Sequence, residues 1–133
     1  MAFQFSTDLR NAALDALEVA AGASPVLTLR SGPPPADCSQ ADAGTVLATI
    51  SLPSDWLVAA AAGTKLLQGV WQDLSADAAG TVGHFRIHQG TVCHIQGDVT
   101  ATGDGGAMTL DNPVLALGQA VTVTAFSLSA GGV

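Results

Sequence analysis

Three histidines (His84, His88 and His94) and one of the chain's two cysteines, Cys93, fall in one short stretch. Convergent neutral imidazoles held by hydrogen-bonded carboxylates are what zinc or copper takes as ligands. A cysteine beside a histidine is the pair from which a thiolate nucleophile is made. The local sequence argues against both. Arg86 is interposed among the histidines, and no Asp or Glu follows before Asp98. Cys93 and His94 are sequence neighbours, so on a strand they point to opposite faces. The expectation is a polar outer strand face. Gly103-Asp104-Gly105-Gly106 lacks the acidic spacing of a calcium loop and reads as a tight turn. There is no Gly-x-Ser-x-Gly elbow, no glycine loop between strand and helix to cradle a phosphate, and no carboxylate pair to suggest a glycosidase. No catalytic residue, metal ligand or cofactor-binding residue is expected, and the chain is read as not an enzyme.

The same stretch, Gly80 to Gly97, organises the fold. It reads as a β-hairpin at the centre of a sandwich. With a three-residue loop, Gln89-Gly90-Thr91, Ile87 would face Cys93 and Phe85 would face Ile95 on the apolar side. His84 would face Gln96 and Arg86 would face His94 on the outer side. A slip of one residue moves every side chain to the other face, so the register that keeps one face apolar is preferred. Gly90 can supply the left-handed residue such a loop wants.

Before the hairpin, Ser6 or Thr7 caps a helix with Asp8 in its first turn. Leu9, Ala13, Ala16, Leu17 and Ala20 share one face, while Asp8, Asn11, Asp15 and Glu18 share the other. Gly22 and Pro25 end it. Phe3 and Phe5 form an arm expected to add to a sheet or a neighbour. Strands are expected over 26–30 and 45–52, and more weakly over 64–70. Trp71 and Leu74 are expected core anchors. After the hairpin come strands at 107–110 and 114–116 and a long final strand over 120–128. The expected fold is mainly β, an antiparallel β-sandwich or jelly-roll-like barrel with one N-terminal amphipathic α-helix. It is one domain over 1–133, with an arm at 1–5, a helix at 6–22 and the β-sandwich at 26–129.

Composition narrows the function. Only 11% of residues are charged, against about 25% in ordinary soluble domains. Large apolar surface marks an interface. The net charge is −7, with Arg10, Arg30, Lys65 and Arg86 as the only Lys or Arg. Neutralising phosphates is therefore not expected of it, so no nucleic acid partner is assigned. No apolar run reaches the roughly 18 residues of a membrane span. The first residues carry no basic n-region or apolar h-region, so no signal peptide and no membrane partner are expected. Cys38 and Cys93 make no disulfide framework or zinc pattern; one loop thiol and one core thiol are expected, with a single bridge in an oxidising medium as the alternative.

Several stretches resemble a group of small virion proteins of tailed bacteriophages and prophages. They run from Phe5 to Leu17, Gly44 to Ala48, Ser75 to Ile87, Cys93 to Gly97, Met108 to Asn112 and Val121 to Phe126. None is a catalytic motif. The resemblance implies a structural particle component, made in the host bacterial cytoplasm and resident in the virion. Its expected partners are other virion proteins, either major capsid or tail proteins, and it is expected to be a homo-oligomer. Size and acidity favour a capsid decoration or cement subunit. The alternatives are a tail, collar or fibre-associated protein, or a glycan- or receptor-binding module on the tail, for which Trp56 and Trp71 are the only tryptophans. A depolymerase is the enzymatic alternative.

Overall fold

The computed structural model describes residues 3–130. Met1 and Ala2 of the expected arm and residues 131–133 of the tail lie outside the described residues. The architecture is mainly β and sandwich-like, with one helix at its N-terminal end.

Helix α1 spans Thr7–Ala21. Ser6 Oγ accepts the Leu9 N–H at 3.1 Å, and Asp8 sits where the helix dipole favours a negative charge. Gly22, at φ +90°, turns the chain out, and its N–H donates to Glu18 O. The helix does not dock by its apolar stripe alone. Leu14 and Ala21 are buried, Asn11, Leu17 and Glu18 are half-buried, and Leu9, Ala13, Ala16 and Ala20 are exposed. The cause lies underneath. Lys65, 1% exposed, donates to Asp15 Oδ1 at 2.7 Å and Glu18 Oε1 at 3.0 Å. Asp15 Oδ1 also accepts the Ala60 N–H, and Asn11 Oδ1 accepts the Gly63 N–H, both at 2.9 Å. An uncompensated buried ammonium costs several kcal/mol, whereas a buried methyl group contributes only about 0.8 kcal/mol. Asn11, Asp15 and Glu18 therefore reach toward Lys65 and the neighbouring backbone, with Asp15 still half in solvent.

The strands are β1 (Val26–Ser31), β2 (Val46–Ser51), β3 (Thr64–Leu66), β4 (Trp71–Asp73), β5 (Gly80–Gln89), β6 (Val92–Ala101), β7 (Met108–Leu110), β8 (Val114–Leu115), β9 (Val121–Val123) and β10 (Ala125–Ser129). The large sheet runs β2-β1-β5-β6-β7-β10-β3, with β8 on the first residues of β5, and β4 and β9 form a separate ribbon. The expected long final strand is broken at Thr124. Val121 and Val123 serve the ribbon, whereas Phe126 serves the large sheet, so the chain changes sheets between them.

One pairing among the described residues is parallel, β6 with β7. Parallel neighbours usually need a long crossover, yet only residues 102–107 intervene. Side chains of β6 hold this short return in place. Asp98 Oδ1 accepts the Ala107 N–H and Thr100 Oγ1 accepts the Gly106 N–H, each at 2.9 Å. A Cβ at Gly106 would lie 2.6 Å from Thr100 Oγ1, so the return fits only as glycine.

Aromatic rings tie the ribbon to the sheet. Phe85 meets Phe126 edge-on at 5.6 Å, Phe126 meets Trp71 at 5.4 Å, and Trp71 meets Trp56 at 6.1 Å. Both indole N–H groups are satisfied by carbonyls, Trp56 by Gly22 O and Trp71 by Gln68 O. Leu74, expected as an anchor beside Trp71, is instead 71% exposed, on the turn after β4.

Candidate functional site

Along β5 the pleat sends Phe85 and Ile87 into the apolar core and His84, Arg86 and His88 to the other face. That division was expected. The second face, expected to be a polar outer face, is instead covered: His84 is 0% and Arg86 1% exposed. A loop over 32–44 covers them. It leaves at Ser31 and returns at Thr45, where the two residues exchange hydrogen bonds: Ser31 N–H to Thr45 O at 3.1 Å, and Thr45 N–H to Ser31 Oγ at 2.9 Å. The loop is therefore of the Ω type. Its Pro33-Pro34-Pro35 run can donate no backbone hydrogen bond, so it crosses the sheet without extending it. The crossing is close at Gly83, where a Cβ would collide with the Gly32 carbonyl.

The loop is organised around one guanidinium. Arg86 Nη1 donates to Asp42 Oδ1 and to Gln40 O at 3.1 Å, and Nη2 donates to Cys38 O at 2.9 Å. Arg30, next door on β1, donates from Nη2 to Asp42 Oδ2 at 3.2 Å and from Nε to Thr28 Oγ1 at 2.9 Å. His88 Nε2 lies 3.1 Å from Asp42 Oδ1. His84 Nδ1–H donates to Gly32 O at 2.8 Å, and Gln96 Nε2 donates to Pro35 O at 2.7 Å. His84 Nε2, Arg86 Nε and Gln96 Oε1 remain buried without a protein partner.

The charges respond accordingly. Burial works against the Asp42 carboxylate, but Arg86, Arg30 and His88 outweigh it and hold its pKa below the usual carboxylate value. Burial likewise opposes the charge on Arg86, and Asp42 restores it, leaving the pKa raised. The Cys93 thiol is pushed up to about 11, first by burial and then by a hydrogen bond shared with Cys38. Such a thiol is a poor nucleophile at neutral pH. Asp42 is engaged by three cationic or imidazole groups and has no free role as a general base.

A β-bulge explains why Cys93 is here and not in the core. The hairpin closes with a two-residue turn, Gly90-Thr91, with Gly90 at φ +61°, and Gln89 pairs with Val92. His88 pairs with Cys93, but Ile87 pairs with Ile95, so His94 is an extra residue bulged out of the ladder. The expected pairs of Ile87 with Cys93, Phe85 with Ile95, His84 with Gln96 and Arg86 with His94 are replaced. Phe85 now faces Gly97, Arg86 faces Gln96 and His84 faces Asp98. The bulge brings Cys93 to the arginine face, where Cys38, Cys93, Asp42, Arg86 and His88 line a surface pocket of about 630 Å³.

The three histidines are thus separated in role: His84 under Gly32, His88 on Asp42, and His94 exposed on the bulge. Among the described residues, no three His, Cys, Asp or Glu side chains are grouped to hold a metal ion. Sequence reasoning missed Asp42, Arg30 and Thr28. A signal was present: two neighbouring strands carry one arginine each on the face opposite their apolar residues, and the loop that follows the first is acidic at Asp37 and Asp42. Among the described residues no helix is long and apolar enough to cross a membrane. No family model matches the chain, and neither a curated protein nor a solved structure does.

Proposed function

We propose that this chain is a non-enzymatic structural subunit of a tailed-phage particle, a capsid decoration or cement protein that docks on another virion protein through the outer face of α1. The observation that carries this reading is the orientation of the helix. Its polar side is spent on Lys65 and two backbone amides, so Leu9, Ala12, Ala13, Ala16, Val19 and Ala20 are left outward. Phe3 and Phe5 add two exposed rings, tilted at 56° with centroids 5.2 Å apart, at the same end. Single exposed apolar residues are ordinary, but a contiguous apolar face usually marks an interface.

Charge supports a partner other than a free second copy. Arg30, Lys65 and Arg86 are buried in ion pairs, and Arg10 is half-buried against Gly63. The outward charge is therefore almost wholly acidic, and a neutral or basic docking surface complements it. Copies are then brought together by the symmetry of the particle, which multiplies weak contacts. Trp56 and Trp71 are both 0% exposed, so neither offers a stacking platform for a glycan.

Quantitative mass spectrometry of purified particles tests the proposal. Hundreds of copies relative to the major capsid protein place the chain on the head, and small multiples of three or six place it in tail, collar or fibres. A Leu9→Asp/Val19→Asp variant should fold normally and be lost from particles. Absence of the unaltered chain from particles overturns the proposal.

A further inference from the structure

We propose that Cys38 and Cys93 form an intramolecular disulfide when the folded protein meets an oxidising medium, and that the bond locks the 32–44 loop over the buried face of β5. Three observations meet here. The Cys38 carbonyl is tied to Arg86 Nη2 at 2.9 Å, and Cys93 lines the same pocket as that guanidinium. The bulge at His94 turns Cys93 toward the loop rather than into the core. Both cysteines are half-buried and line one open pocket, so a small oxidant can reach them.

The chemistry is thiol–disulfide exchange with a small-molecule disulfide. One protein thiolate attacks RS–SR, forming a mixed disulfide and releasing RS⁻. The second thiolate then displaces the other RS⁻ and closes the protein S–S bond. Two thiols are oxidised, one RS–SR is reduced, and two RSH leave. Because the Cys93 thiol is held at about 11, closure should accelerate as pH rises through the alkaline range. The bond would join a loop to a central strand far along the chain, which constrains the unfolded ensemble strongly.

The test uses the whole chain with oxidised glutathione at pH 8.5, read by intact mass, peptide mapping and thermal melting. The expected product is monomeric, lighter by two hydrogens, with Cys38 linked to Cys93 and a Tm higher by roughly 10 °C. Cys38→Ser and Cys93→Ser variants should each stop at a mixed disulfide with one glutathione and keep the Tm of the reduced protein. Stable glutathione adducts on both cysteines of the unaltered chain, intermolecular dimers, or two thiols left unmodified overturn the bond. A bond formed without a rise in Tm overturns the locking role.

Discussion

Replacing Asp42 by Asn isolates the charge at the centre of the covered arginine face. The carboxylate takes Arg86, 1% exposed, on one oxygen and Arg30, 10% exposed, on the other, while its own side chain is 43% exposed. Breaking a buried ion pair from one side costs about 3–5 kcal/mol because a charge is stranded. Solvent at Asp42 screens part of this, and Asn keeps the shape and one acceptor, so the loss should be about 3 kcal/mol. With a urea dependence near 2 kcal/mol/M, the unfolding midpoint falls by roughly 1.5 M. Tryptophan fluorescence reads the transition directly, since both indoles are in the core. The pH dependence provides a second reading. The folded-state pKa of Asp42 lies below its unfolded value, so its contribution is present above about pH 4 and is lost as pH falls through the folded value. The two proteins should therefore converge in stability toward low pH. A midpoint shift below about 0.3 M at pH 7, or a gap that persists undiminished in acid, would refute the reasoning.

Glu18→Gln removes one of the two carboxylates on Lys65, and hydrogen exchange of the α1 amides should speed up, reflecting a loss of about 1–3 kcal/mol in helix docking. Burial disfavours the Lys65 charge but Asp15 and Glu18 win, so its pKa is raised. Its contribution is full below about pH 10.4 and is lost as pH rises through the folded value; helix docking monitored by exchange should fail in strong alkali before the sheet does. Gly97→Ala places a Cβ 2.9 Å from Phe85 and 3.0 Å from Ala107, and urea unfolding should show a loss of about 1–3 kcal/mol from overpacking. Trp71→Ala empties the contact between ribbon and sheet, and the same assay should show about 3–5 kcal/mol.

The strands of the sheet centre were legible because their alternation is strong and turn residues bound them. Val26 to Arg30 and Phe85 to Ile87 declare an apolar side at every second residue. The register within the hairpin was not legible. His94 adds one residue to β6 without any mark in composition, and a bulge of that kind is fixed by what each side chain finds on its face. Covering of the second face was hidden for a related reason. Arg86 on a strand normally points to water, and only the tertiary placement of Asp42 and three loop carbonyls makes its burial favourable. The helix shows the limit of periodicity most clearly. Its apolar stripe was read correctly as a stripe, but the choice of which stripe faces the sheet was decided by Lys65, a residue 50 positions from Asp15.

The position of β1 between β2 and β5 also bears on the order in which the chain can assemble. Its neighbour β2 follows it closely, but its other neighbour, β5, is distant, with Thr28 and Arg86 separated by 58 residues. The β5–β6 hairpin closes locally and can form in microseconds. Joining it to β1 requires a long excursion of chain whose entropy is spent before any pairing rewards it. The pairing of β1 with β5 is therefore the step with the largest loop-closure cost, and it should limit the folding rate. The 32–44 loop joins β1 to β2 and its arginine lies on β5, so the loop can settle only after that pairing.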